Sequence, residues 1–381
     1  MTQTNKQRLV LHVGPHKTAT TYIQQNLNAC RANLLQMGWI YPDNACVSEQ
    51  NPGAHHDLAH RAESYLSSDR ENHHQLTELA TLLQHSGKNL ILSAEGFSRW
   101  SLSKYHRLAD ILGFQEFEVV YALRDPVALI HSYWAEEVKQ GRTVSFPDRI
   151  AGATLDPMRS RLLNPLMDIN PLISSDRIKL RIIPFEVLKA SKTDIFSHIC
   201  SEVLGIEPLS PEITGLVNAG FPIEQTEFLR FMTLLHFQGR TNVGSELRMA
   251  FIRKTKSGER DIWNEQLRQW AKDAVRHLRL PADALFRMVI EQRVVARAQA
   301  YFTTPVAEGA LFNRQEKTIS FYDDFLFWNN PEVNRLALDV LERMGLGAGQ
   351  PAILLKPGAE IGLAHAESGS SVGHRWEDAK S

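Results

Sequence analysis

The chain has 381 residues, with 42 Lys+Arg set against 43 Asp+Glu and a formal net charge of −1. Hydrophobic residues make up 43% and charged residues 22%, a globular composition that excludes a wholly disordered chain. This near-neutral balance leaves no global basic field for nucleic acid or an anionic membrane, so an anionic ligand must be held by a local site. The cysteines, Cys30, Cys46 and Cys200, are few, odd in number and widely spaced. They support neither a disulfide framework nor a thiolate zinc site. Met1 to Arg8 is polar, and no stretch reaches the roughly 18 apolar residues of a membrane span. The expectation is a cytoplasmic protein with no secretory signal.

Short apolar runs punctuate the first half. Leu9 to Val13, Leu90 to Ser93, Val119 to Leu123 and Ile178 to Ile183 are nearly continuous rather than alternating, as in strands covered on both faces. Helical patterns separate them. Ile23, Leu27, Cys30 and Leu34 recur at helical spacing, and Asp125-Pro126 reads as an N-cap and first turn, with Gly141 as a stop. Strand, helix, strand in series predicts an α/β fold: a three-layer parallel sheet with helices on both faces. That core is expected over 8–222. A mainly helical extension over 223–345 is expected to pack on it, with breaks near Gly239, Gly258, Pro281 and Pro331. Residues 346–381 read as a frayed tail.

The first strand runs into Gly14-Pro15-His16-Lys17-Thr18-Ala19-Thr20-Thr21 and then a helix. A strand-to-helix turn presents free backbone N–H groups and the positive end of the helix dipole, which suits a phosphate. Lys17 adds a charge, and three threonines add hydroxyls. The loop is not a Walker loop: with Gly14 as its first glycine, that pattern needs Gly at 19 and Lys at 20, where this chain has Ala19 and Thr20. Read blandly, the same residues are an ordinary strand–turn–helix junction. A second motif follows the third strand. Arg124 ends that strand, on the edge where open α/β sheets bind ligands, and its planar fork suits a phosphate. Ser132 lies eight residues on, in the next helix. The bland alternative is Arg124 paired with Asp125 or a surface acid.

Together, the two motifs resemble those of the sulfotransferase superfamily that uses 3′-phosphoadenylyl sulfate (PAPS), in the His-Lys-Thr form of its bacterial branch. The Pro184-Phe185-Glu186-Val187-Leu188 segment is similar to a further family feature, and the resemblance covers about residues 8–206. It implies a P-loop-like fold in which His16, Lys17, Thr18, Ala19, Thr20 and Thr21 bind the 5′-phosphosulfate while Arg124 and Ser132 bind the 3′-phosphate. The chain departs at Ala19, where glycine is usual; a methyl group there needs negative φ or a slight adjustment of the loop.

Sulfuryl transfer needs positioning, charge stabilisation and a base for the acceptor hydroxyl. Lys17 is the candidate for stabilising the bridging oxygen. Glu95 follows the strand ending at Ser93, on the same rim as Lys17 and Arg124, and is the first candidate base; the resemblance supports it. His55 and His56, in a loop before a helix, are the alternatives. His56 and His60 share the spacing of a metal pair but have no evident third ligand. The expected activity is transfer of a sulfonate from PAPS to a hydroxyl acceptor, a carbohydrate or small metabolite, with no metal, no nucleic acid and no membrane span. The rivals are a P-loop nucleotide kinase and a non-catalytic nucleotide-binding protein on the same fold. Trp39, Trp100, Tyr133 and Trp134 are candidates to stack on sugar rings, with core packing as the competing role.

Overall fold

A computed structural model of the chain describes residues 6–15, 17–43, 53–214, 221–237, 245–281, 284–312 and 315–346. Its centre is a five-stranded, all-parallel sheet. The strands are β1 (Leu9–His12), β2 (Trp39–Ile40), β3 (Asn89–Ser93), β4 (Phe117–Leu123) and β5 (Ile178–Pro184), in the order β2-β3-β1-β4-β5. The expected runs are all present, and the short edge strand β2 adds to them. Side chains alternate between the two faces. Leu9, Leu11 and Val13 enter one core, while Val10 enters another with Ile23, Leu27 and Leu34 from the first helices. Helices therefore cover both faces, and β4 is buried along its whole length. The first helical pattern divides at Cys30 into Thr20–Ala29 and Arg31–Gln36.

Strand order positions the site. From β1 the chain leaves toward β3 and β2 and returns beyond β1 to form β4. The helix after β1 packs on one face and the helix after β4 on the other. The crevice between the C-terminal ends of β1 and β4 is thus a topological switch point, the usual ligand site of an open α/β sheet. Asp125 caps the Pro126–Lys139 helix by accepting from Val127 N at 3.0 Å, and Pro126 opens it.

The region after residue 222 carries helices at Ile223–His236, Glu246–Lys254, Ser257–Trp270, Leu285–Ala298 and Pro331–Arg343. It also holds an antiparallel pair, β6 (Val275–Leu280) with β7 (Lys317–Tyr322), which the helical reading of this stretch misses. Phe228, Leu267 and Val333 share one continuous core with Val119 and Trp134, so the extension packs on the sheet domain. Arg230, fully buried, donates from Nε to Glu227 at 2.8 Å and also pairs with Asp324. No helix among the described residues is long and apolar enough to cross a membrane. Cys30 and Cys200 are buried free thiols. Cys46, Gly239 and residues 347–381 lie outside the described residues.

Candidate functional site: the loop after β1

Gly14 follows β1 where the backbone is crowded. A Cβ there would lie 3.0 Å from Thr18 Oγ1 and Thr20 Cγ2 and 3.1 Å from His12 Nε2, so only glycine fits without displacement. Two residues beyond it have left-handed backbones: Lys17 at φ 69° and Ala19 at φ 60°. For Ala19 this costs about 1–2 kcal/mol. The methyl group therefore has not forced the loop to negative φ; the left-handed turn persists with alanine in it. Ala19 is the N-cap of the Thr20–Ala29 helix, which has no side-chain cap and no acid in its first turn. The helix start carries a partial positive charge, and the carboxylate that meets its first residue comes from outside the helix, from Glu95 on Thr20.

The loop hydroxyls are already engaged. Thr18 Oγ1 donates to Pro15 O at 2.7 Å and is fully buried, so it holds the turn. Thr20 donates to Glu95. Glu95 opens the Glu95–Arg99 turn after β3, so the structure joins the candidate base to the loop after β1 across adjacent strands. Thr21 is half-buried in the first helical turn. His16 lies outside the described residues.

Lys17 Nζ sits 2.9 Å from Glu136 Oε2. Lys139 at 3.5 Å and Arg248 at 4.0 Å face the same carboxylate. Burial alone would raise the Glu136 pKa, but the hydrogen bond and charge of Lys17 and the charge of Lys139 outweigh it and hold the pKa down at about 2. Glu136 therefore remains an anion that occupies the lysine.

Arg124 does not pair with Asp125. That carboxylate is taken by Arg287, both groups being buried. Arg124 instead donates to the Lys17 carbonyl. Its guanidinium lies 5.4 Å from the Phe185 ring centroid and 3.8 Å from Glu186, beyond hydrogen-bond range. Its Nε is buried and makes no hydrogen bond among the described residues. Phe185 and Glu186, singled out in the sequence, thus converge on Arg124. Ser132 Oγ donates to Leu129 O at 3.0 Å within its own helix. The sequence reading misses Lys317 on β7: its Nζ is 3.5 Å from Ala128 O, and burial and then the Arg124 charge lower its pKa.

The histidines divide by burial. His55 is fully buried behind β3, where its Nδ1 accepts from Ser93 N at 3.0 Å, and burial lowers its pKa to about 4. This places it under the rim rather than on it. His56 is half-buried and its ring stacks on His60 at 5.7 Å; no third His, Cys, Asp or Glu completes a metal group among the described residues. His12, not anticipated, binds Ser93 Oγ through Nδ1 at 2.7 Å. Burial lowers its pKa to about 4, against a smaller opposing effect from Glu95.

A cleft of about 520 Å³ opens beside the loop. Pro15 and Arg124 line its inner end, and Ser98 and Arg99, just past Glu95, line one side. The 149–168 segment forms the far wall. Of the aromatic candidates, Trp39 and Trp134 are core residues, whereas Tyr133 lines this cleft and Trp100 a neighbouring one. The chain matches no protein-family model, no curated protein and no solved structure at a significant level.

Proposed function

We propose that the protein transfers a sulfonate from PAPS to a hydroxyl acceptor. One observation carries the reading: a helix start with no side-chain cap, fronted by Lys17, lies between Glu95 on one side and Arg124 on the other. That is an anion site with a base beside it and a second cation next to it. The residues fit such a donor, because the helix start has no side-chain cap and, among the described residues, Arg124 Nε makes no hydrogen bond.

The donor supplies an activated sulfur–oxygen bond. The chain's residues do the rest. Lys17 exchanges Glu136 for the donor's bridging oxygen and stabilises the charge that builds there as the bond breaks. Glu95 accepts the acceptor proton as the new oxygen–sulfur bond forms. Arg124, with Lys317 nearby, holds the 3′-phosphate away from the reacting sulfur. A labelled-sulfonate assay on PAPS with a library of hydroxyl acceptors, run in EDTA, tests the reading. Label should move to an acceptor and leave 3′,5′-ADP. Activity only with ATP and magnesium would replace it with a kinase.

A further inference from the structure

The cleft beside the loop is lined by five arginines, Arg99, Arg124, Arg149, Arg159 and Arg161, against two acids, Asp156 and Asp168. Arg124 belongs to the donor side; the other four lie outward from it. Their pairing differs. Arg149 donates to Glu137 at 2.6 Å, and Arg159 lies 3.6 Å from Asp156. Arg161 lies 3.3 Å from Asp168, with more than half its side chain exposed. Arg99 is exposed; among the described residues it donates to the Tyr133 hydroxyl at 3.1 Å and forms no direct ion pair, although the Asp168 carboxylate lies close enough to feel its charge.

Arg99 also lines a second cleft of about 340 Å³, whose wall includes Trp100 and Lys104. It therefore stands on the ridge between two cavities, with Tyr133 in one and Trp100 in the other. Trp100 is fixed by its indole N–H, which donates to Ala59 O at 3.0 Å, so its ring is a rigid surface. An exposed arginine held in no direct ion pair, between two aromatic-lined hollows, suits an extended ligand with an anionic group at its middle and rings on either side.

We propose that the acceptor is itself anionic, of the class of acidic oligosaccharides, and that Arg99 and Arg161 recognise its carboxylate or sulfate groups. The hydroxyl that reacts rests on the transfer reading, but the charge and shape are argued from the clefts alone. Such a ligand would lie along both cavities, cross Arg99, and present one hydroxyl to the inner end near Glu95 and Lys17.

The test is direct binding, with no donor present. Calorimetry of the full chain uses tetrasaccharides of a polyuronate, a sulfated glycosaminoglycan and a sulfated galactan, each beside its carboxyl-reduced or desulfated counterpart, and a glutamate tetrapeptide as an anion without sugar rings. At least one acidic sugar should bind about ten-fold or more tightly than its neutral form and than the peptide, since a charge-assisted contact is worth that much. Its affinity should fall with salt. Arg99→Ala and Arg161→Ala should each remove most of that preference while 3′,5′-ADP binding stays at the parent level, and Arg99→Lys should restore part of it. Equal binding of acidic and neutral sugars, no binding of any, or a preference for the peptide would overturn the inference. Failure of PAPS turnover with the acidic preference intact would instead strike the transfer reading and leave this one standing.

Discussion

Acid should unfold this protein through two histidines that grip one serine. His12 Nδ1 binds Ser93 Oγ at 2.7 Å and His55 Nδ1 accepts Ser93 N at 3.0 Å, so both fix the end of β3 from which Glu95 projects. Burial lowers both pKa values from 6.5 to about 4. The folded values are depressed, so the unfolded chain takes up protons first as pH falls. The associated stability is fully present above pH ~6.5 and is lost progressively toward pH ~4. At about pH 5 the unfolded histidine lies roughly 1.5 units below its pKa while the folded one is still neutral. At about 1.4 kcal/mol per unit that is about 2 kcal/mol each, or about 4 kcal/mol for the pair. Folded proteins hold a margin of about 5–15 kcal/mol, so the loss is a large fraction of it. Urea unfolding at about pH 7 and pH 5 measures it. Replacing one histidine by glutamine, as in His55→Gln, keeps a hydrogen-bonding side chain that cannot titrate. That variant should lose about 2 kcal/mol less between the two pH values than the parent does. An unchanged pH dependence in both His55→Gln and His12→Gln would refute the reasoning.

Two further substitutions probe the loop and the base. Glu95→Gln keeps the shape and the Thr20 contact but cannot take a proton, so turnover should be lost while 3′,5′-ADP binding, followed by calorimetry, stays near the parent value. Retained turnover there, with loss in His56→Ala, would move the base to the neighbouring histidine. Ala19→Gly relieves a left-handed alanine worth about 1–2 kcal/mol but frees the unfolded chain by about 0.4–1 kcal/mol, so a net gain of about 0.5–1 kcal/mol should appear in chemical denaturation.

The sheet was legible because β1, β3 and β4 are largely apolar on both faces, which leaves near-continuous hydrophobic runs, while β5 keeps Ile178, Leu180, Ile182 and Ile183 apolar around Lys179 and Arg181. The hairpin of β6 and β7 was not. Val-Arg-His-Leu-Arg-Leu exposes much of both faces and sits between helical patterns, so neither period stands out. Lys17, Arg124 and Glu95 could be placed on one rim because each lies within a few residues of a strand's C-terminal end. Lys317 could not, since it comes near Arg124 and Ala128 from a hairpin almost two hundred residues away. His55 read as an alternative base because it sits in a loop; the fold turns that residue inward against Ser93. Arg99, Arg149 and Arg161 carry no motif, and only the packing of the 149–168 segment opposite the Glu95–Arg99 turn shows that they share a cleft.

Nucleotide discrimination tests the central claim most directly. Two cation sites, at Lys17 and at Arg124, should read two phosphates on one ligand. Calorimetry should therefore show 3′,5′-ADP binding at least about ten-fold more tightly than 5′-AMP, since the 3′-phosphate brings charge-assisted bonds worth about 1.5–3 kcal/mol. Arg124→Ala should remove that difference while leaving 5′-AMP binding nearly unchanged. Equal affinity of the parent protein for the two nucleotides, or a difference that survives Arg124→Ala, would contradict the account.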